Sequence, residues 1–415
     1  MGAQKIFHFS QCSGMVADLN AQRRVIMIDL WPLLLPAAAW SGWWMANRSQ
    51  SKAAECNDNR LSREYVVGLN YLLNEQPDKA VDVFIKLLEV DSDTVETHLA
   101  LGSLFRRRGE VDRAIRIHQN LIARPQLSIS QRKESLMALG QDYMSAGLFD
   151  RAERIFLEVV ELGGAKETRS LYGLLAIYQQ EKAWEKALDI IKKLEISTGT
   201  SFHNQTAHYY CEMANQALKA NALDKAAYCI KQAINVDIES VRASLMHASL
   251  EMKEGRYKQA IRSLKRVPQQ DADFLTEIIE PLVQCHKELG SMDECINYLE
   301  QTLEKHPRAS VIFVIADYLR QQKNMDIAID FVADNLSKHP SIRGLNQLIY
   351  WHLESAHGKV REKLQMLYDI TSKFLDNKPV YRCVHCGFGG KHLHWHCPSC
   401  KNWGRMKPVH GLEGY

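Results

Sequence analysis

Proline is scarce in this chain, and charge of neither sign dominates it. There are 11 prolines in 415 residues, most of them near the termini or at the ends of repeats. Long stretches containing Ala, Leu, Glu and Lys with so little proline predict a mostly helical protein. The formal net charge is only +3 without a dominant basic run, so bulk electrostatics do not indicate nucleic-acid binding.

The composition also lacks the marks of disorder and of a secreted disulfide scaffold. Hydrophobic residues make up 46% and charged residues 24%, which are ordinary values for a globular protein. A secreted protein held together by disulfides would be shorter and richer in cysteine. We therefore expect this protein to be in the reducing cytosol. Outside one tight cluster, the cysteines are scattered without a pairing rhythm: Cys12, Cys56, Cys211, Cys229, Cys285 and Cys295.

One apolar run stands near the N-terminus. The 17 residues from Leu30 to Ala46 carry no charge, and a membrane helix needs about 20 apolar residues, with roughly 17 as the lower limit. Four tryptophans in this run favour the membrane interface. We therefore predict a transmembrane helix at 28–47. The alternative is a cleaved signal peptide with Arg23 and Arg24 as its basic head and 37–39 as its small-residue site.

The orientation of this segment depends on where the native chain starts. Residues 1–26 carry no periodicity, and Met27 opens directly onto the apolar run, so we interpret 1–26 as a non-native extension. Basic residues then flank only the late side, and the positive-inside rule predicts that the rest of the chain is cytoplasmic. These basic residues are Arg48, Lys52, Arg60 and Arg63.

The middle of the chain repeats itself. A small residue that follows a turn and a charged pair recurs at spacings of 34, 38, 35, 39, 34, 35 and 33. A period near 34 is typical of tetratricopeptide repeats, which consist of two antiparallel helices each. The recurring residues are Ala80, Ala114, Ala152, Ala187, Ala226, Ala260, Cys295 and Ala328.

Further positions recur with the same period and argue against a generic helical bundle. A small or apolar residue stands 12 residues before each recurring residue, as at Gly102, and a bulky residue usually follows four after it. Small residues would let the two helices approach closely, while bulky ones fill the space between stacked hairpins. We predict an all-α solenoid at 60–375, capped by a last helical pair at 345–375. Pro307 and Pro340 fall where second helices should stop.

A four-cysteine pattern occupies the C-terminus. Two C-x-x-C pairs, Cys383 with Cys386 and Cys397 with Cys400, are separated by ten residues. Each pair predicts a tight turn, and two such turns together form a tetrahedral S4 metal site. Gly387 follows the first pair, where a left-handed residue is often needed. We predict that these four thiolates bind a metal in a small domain at 379–410.

The metal that this site holds is iron or zinc on chemical grounds, since both accept S4 geometry. Four thiolates leave no open position for a substrate, which disfavours hydrolytic metal catalysis. Neighbouring histidines are alternative ligands, but the four thiolates already complete the coordination sphere. The nearby basic residues form only a modest patch, so we expect no nucleic-acid binding. The histidines are His385, His392, His394 and His396, and the basic residues are Lys391, Lys401, Arg405 and Lys407.

Taken in order, these features resemble the lipopolysaccharide assembly protein B family of Gram-negative inner-membrane proteins. The resemblance rests on the short apolar segment, LSREYVVGLNYLLNEQPDKAVDVF, GSLFRRRGEVDRAIRIHQ and the terminal YRCVHCGF…WHCPSCKNW…KPVHGLEG. It implies helical repeats packed against a rubredoxin-like knuckle that holds iron. It also implies a non-catalytic adaptor in the cell inner membrane, with the bulk of the chain on the cytoplasmic side.

The implied role is regulation of lipopolysaccharide biosynthesis. The adaptor would present the lipid A deacetylase to a membrane AAA+ protease for proteolysis, and it would organise other lipopolysaccharide synthesis or transport proteins. Two alternatives remain: a rubredoxin-type electron-transfer protein, and a periplasmic assembly factor if the N-terminal segment is cleaved or inverted. We also expect the knuckle to dock on the last hairpins of the solenoid and to fix the shape of a binding surface.

Overall fold

The structure is a computed structural model that describes residues 95–411, except 126, 165, 166, 323 and 377, and scattered positions before residue 95. The predicted extension at 1–26 lies outside the described residues. So does the predicted span at 28–47, apart from Trp40, Ser41 and Met45. Within the described part of the chain, no helix combines the length and the apolar character that crossing a bilayer requires.

From residue 95 to residue 376 the described chain is a succession of helices joined by short turns. The first eight are α1 Val95–Arg107, α2 Val111–Ile122, α3 Ile129–Ser145, α4 Phe149–Glu161, α5 Glu167–Gln180, α6 Trp184–Thr198, α7 His203–Lys219 and α8 Leu223–Val236. The next eight are α9 Val241–Lys253, α10 Tyr257–Gln270, α11 Leu275–Leu289, α12 Met292–Lys305, α13 Ala309–Gln322, α14 Met325–Lys338, α15 Ile342–Ser355 and α16 Gly358–Asp376. A single 3₁₀ turn, Ala272–Phe274, precedes α11. The mostly helical prediction and the terminal helical pair are confirmed.

The chain divides into two compact units, residues 1–155 and 156–415. The first unit contains α1 to α3 and the beginning of α4 among its described residues. The second unit contains the remaining helices and the C-terminal knuckle.

The recurring small residues form the centre of each hairpin. All eight of them have no exposed surface, although they belong to different hairpins. Pro307 and Pro340 lie just beyond the ends of α12 and α14, where the missing amide hydrogen of proline costs no helical hydrogen bond. The repeat pattern therefore predicted both the core positions and the helix ends correctly.

Close helix packing in the first unit depends on Gly102. A Cβ atom at this position would lie 2.4 Å from Nε2 of His118, which projects from α2. The His118 ring is fully buried, and its Nδ1 lies 2.5 Å from Oδ2 of Asp142 on α3. Arg106 contacts the other oxygen of Asp142 at 2.5 Å. The small residue thus makes room for a buried polar cluster that joins three helices.

The C-terminal knuckle is a three-stranded antiparallel sheet with two cysteine turns. Its strands are β1 Tyr381–Cys383, β2 Gly389–Gly390 and β3 Met406–Pro408, in the order β2-β1-β3. Tyr381 is opposite Gly390 on one side and Pro408 on the other. The first cysteine pair therefore begins at the central strand.

Candidate metal centre and its docking surface

The four predicted cysteines come together at the tip of the knuckle. Their sulfur atoms all lie within 4.8 Å of one another. Sγ of Cys383 is 3.7 Å from Sγ of Cys400, and Sγ of Cys386 is 3.7 Å from Sγ of Cys397. In the described part of the chain, no histidine joins this cluster.

The spacing of the sulfurs fits a metal ion. Metal–sulfur bonds of about 2.3 Å in a tetrahedron place the sulfurs about 3.8 Å apart. A disulfide would need a separation of about 2.05 Å. The donor set of four thiols at this spacing therefore suits zinc or iron, and these four cysteines form a metal-binding knuckle.

Two backbone turns hold the sulfurs in place. In the first turn the Gly387 amide donates to the carbonyl of Cys383, and in the second the Lys401 amide donates to the carbonyl of Cys397. Both Gly387 (φ +77°) and Lys401 (φ +56°) adopt the left-handed conformation. The prediction of a left-handed residue after the first pair is confirmed, and the second pair uses a lysine in the equivalent place.

Backbone amides and burial act in opposite directions on the thiols. The amide of Asn402, hydrogen-bonded to Cys400, is the main reason that the pKa of Cys400 is lowered to about 6. The amide of Phe388 likewise lowers the pKa of Cys386. Burial raises the pKa of Cys397 to about 11. Backbone amides thus favour the thiolate form of Cys386 and Cys400. The thiolate form of the buried Cys397 instead requires a nearby cation.

Two tryptophans of the knuckle pack against the repeat helices. The Trp395 ring stacks on Phe274, just before α11, with centroids 5.4 Å apart and an interplanar angle of 16°. The Trp403 ring stacks on His208 of α7 at 5.3 Å and 28°, and it meets Trp184 and Tyr209 edge-on. Such aromatic contacts stabilise an interface by about 0.5–1.5 kcal/mol each beyond the area that they bury.

A buried arginine lies between these two tryptophans. The guanidinium carbon of Arg242, on α9, is 5.9 Å from the Trp395 centroid and 6.0 Å from the Trp403 centroid. The side chain is 4% exposed, and its Nη2 pairs with Glu212 of α7 at 2.6 Å. The guanidinium therefore combines an ion pair with cation–π contacts to both rings.

Polar contacts complete the docking surface on the other side of the knuckle. Nζ of Lys407 lies 2.8 Å from Asp271 and 3.0 Å from Asp273, in the turn before α11. The Tyr381 hydroxyl donates to Glu277 of α11 at 2.7 Å. The knuckle thus contacts helices of several successive hairpins, from the end of α5 to α11.

The docking position differs from our expectation. We predicted contacts with the last hairpins, but the aromatic and charged contacts fall on helices in the middle of the second unit. The reason is the location of the matching groups, because His208, Arg242 and Phe274 supply the flat and charged surfaces that the tryptophans need. The expectation about the last hairpins was wrong.

Sequence reasoning missed the docking residues while it found the cysteines. His208 belongs to no motif of the sequence, and it is buried. A signal for the tryptophans was present, since Trp395 stands two residues before Cys397 and Trp403 three residues after Cys400. A unit of about 30 residues cannot bury two such rings by itself, so they require a partner surface.

Comparison with known proteins agrees with both parts of the structure. Residues 381–408 match the family described as the rubredoxin metal binding domain, and residues 97–128 match the tetratricopeptide repeat. Lipopolysaccharide assembly protein B of Escherichia coli strain K12 is 40% identical over 389 residues, which cover 94% of this chain and 100% of that protein. The chain belongs to the lipopolysaccharide assembly protein B family. The Haemophilus influenzae protein of the same name is 36% identical over 396 residues, covering 93% of this chain and all of that protein.

Proposed function

We propose that this protein is a non-catalytic, membrane-anchored scaffold that regulates lipopolysaccharide biosynthesis. It would promote proteolysis of the lipid A deacetylase by a membrane AAA+ protease and organise other lipopolysaccharide assembly proteins. Family membership supports the link to lipopolysaccharide assembly. The apolar run at 30–46 supports attachment to the inner membrane, with the repeats on the cytoplasmic side.

The observation that carries the scaffold proposal is the docking of the knuckle on the repeat helices. Trp395, Trp403 and Arg242 form one packed cluster that joins the knuckle to α7, α9 and the start of α11. A small unit held in this way fixes the relative positions of successive hairpins. Repeat arrays of this kind bind other proteins on their surfaces, and a fixed surface favours one set of partners.

The proposed role of the metal is structural. Cys383, Cys386, Cys397 and Cys400 would hold iron, with zinc as the alternative, and the bound ion would supply folding free energy to the knuckle. The four sulfurs complete a tetrahedron, so the site offers no open position for a substrate. This arrangement supports a structural centre and disfavours hydrolytic catalysis.

The functional test is the half-life of the lipid A deacetylase in cells that lack this protein. We expect the deacetylase to persist longer and lipopolysaccharide to be overproduced, and a plasmid copy of the full chain should restore both. A copy without residues 28–47 should fail at normal expression. An unchanged deacetylase half-life in the deletion strain would contradict the proposal.

Electron transfer is the second candidate function, because Cys386 is exposed at the surface of the knuckle. Exposed thiolate ligands would give a redox partner access to an iron centre. Exchange of iron for redox-inert zinc separates the two functions. A scaffold should keep its regulatory effect with zinc, whereas an electron carrier should lose its effect although the knuckle stays folded.

A periplasmic assembly factor is the remaining alternative. A reporter fused to the C-terminus tests it, since a cytoplasm-specific reporter should be active if the proposed orientation is right. Activity of a periplasm-specific reporter would contradict the proposed location.

A further inference from the structure

A groove lies between α11 and α13, beside the surface on which the knuckle docks. Its volume is about 620 Å³. The half-buried side chains of Val283, Phe313 and Val314 contribute an apolar floor. Polar and charged residues surround this floor, including the exposed Glu280 and Glu288.

The groove continues the established docking surface by one repeat. His208, Arg242 and Glu277 each stand 18 residues before the recurring small residue of their hairpin, and each of them contacts the knuckle. The equivalent residue of the next hairpin is Ser310, which lines the groove. Its buried Oγ has no hydrogen-bond partner among the described residues, and the same holds for Oγ1 of Thr276 in the same groove. The column of residues that binds the knuckle therefore extends into a surface with unused polar groups.

The charge of the groove is mainly negative. Glu280, Glu288 and Asp317 contribute carboxylates, and Lys287 contributes one ammonium group. Asp317 is half-buried, and this burial raises the pKa of its carboxyl group. Its ion pair is with Arg320, at 3.6 Å. A further cation entering the groove would compensate this partly desolvated charge.

We propose that this groove binds an extended segment of a partner protein that presents an aromatic or aliphatic side chain next to an arginine or lysine. The knuckle itself offers this chemistry to the neighbouring hairpins, with Trp395 against Phe274 and Lys407 against Asp273. The groove offers the same two kinds of group as the surface that binds the knuckle, an apolar floor and carboxylates. The proposal rests on the scaffold function and names the part of the scaffold that a client or protease segment would occupy.

The binding test uses the full chain with its knuckle metallated and two short synthetic peptides. Both peptides contain the same Trp and Leu residues, and one carries Arg and Lys where the other carries Glu. The groove variant is Glu280→Lys with Glu288→Lys, and the control is Glu300→Lys with Glu304→Lys on the exposed face of α12. Both variants change the net charge equally at exposed sites, so folding should be retained. Circular dichroism and metal content check this.

Fluorescence anisotropy should show that the basic peptide binds the native chain. We expect the groove variant to weaken this binding by about tenfold or more, because two favourable charges become repulsive. The control variant should stay within about twofold. The proposal is overturned if both variants weaken binding equally, or if the acidic peptide binds as well as the basic one.

A measurement in cells separates failure of this groove from failure of the proposed function. Deletion of the gene, the groove variant and the control variant are compared by the half-life of the lipid A deacetylase. The groove proposal expects the groove variant to resemble the deletion and the control to resemble the native chain. If deletion lengthens the half-life but the groove variant does not, only the groove proposal fails. If deletion itself has no effect, the proposed function fails.

Discussion

At the residue scale, Gly102 is the clearest example of a repeat position with a steric cause. A methyl group there would overlap the buried His118 ring, whose Nδ1 is fixed by Asp142. We expect Gly102→Ala to destabilise the first unit by about 1–3 kcal/mol, since overpacking forces a buried group to move. Urea unfolding measures this change, and Arg107→Ala on the exposed face of α1 is the control. Equal stability of Gly102→Ala and the native chain would contradict the steric account.

His208 gives the docking surface a defined pH dependence. Burial is the main cause that lowers its pKa from 6.5 to about 3, with Arg242 and His396 adding to the effect. The unfolded chain therefore binds a proton between these values that the folded protein does not. The stability contribution is complete above pH 6.5 and is lost as the pH falls toward 3.

Denaturation curves at pH 7.5 and pH 5 test this dependence. The native chain should lose about 2 kcal/mol over this interval from His208 alone, at about 1.4 kcal/mol per pH unit below 6.5. His208→Phe retains a ring against Trp403 and should remove that part of the slope. The control is His203→Phe at the exposed start of α7. An unchanged slope in His208→Phe would contradict the assignment.

Two left-handed residues, Gly387 and Lys401, allow a matched comparison within the metal knuckle. Gly387→Ala should weaken metal retention, because a side chain in this conformation costs roughly 1–2 kcal/mol. Lys401→Gly should strengthen it or leave it unchanged, since the lysine already bears that cost. Competition with a chelator measures both. Weaker retention in Lys401→Gly than in Gly387→Ala would show that the conformation is not the determining factor.

At the scale of elements, docking of the knuckle depends on its tryptophans more than on its sheet. Trp403 is 9% exposed and contacts three rings of the repeat helices. We expect Trp403→Ala to cost about 3–5 kcal/mol and to release the knuckle while its cysteines still bind metal. Protease cleavage near 377–380 should then accelerate, with Val384→Ala, an exposed position, as the control. Unchanged cleavage in Trp403→Ala would contradict the assigned role.

The elements themselves were largely predictable, and their tertiary arrangement was not. A period near 34 and the buried small residues define each hairpin locally, and the spacing of Cys383 to Cys400 defines two tight turns. In the docking surface, His208, Arg242 and Phe274 come from separate hairpins. They contact the Trp395 and Trp403 rings near the C-terminus. No local sequence pattern predicts such contacts, because each of these aromatic residues, taken alone, is typical of an ordinary core or surface position.

At the scale of the whole molecule, a metal site is coupled to the surface of a repeat array. The ligand cysteines and the docking tryptophans are interspersed along the 21 residues from Cys383 to Trp403. Loss of the metal should therefore release the docking rings as well. Cys383→Ser or Cys397→Ser should unfold the knuckle, leave the helical circular dichroism largely intact and abolish regulation.

The most direct test of the proposed function measures degradation of the lipid A deacetylase by the proposed membrane protease in the presence of the double variant Trp395→Ala with Trp403→Ala. This variant should keep its metal and its helices but lose the docked knuckle. If the docked knuckle fixes the scaffold, degradation should slow as much as it does with Cys383→Ser. Degradation at the native rate by a metallated protein whose knuckle is demonstrably released would contradict the account.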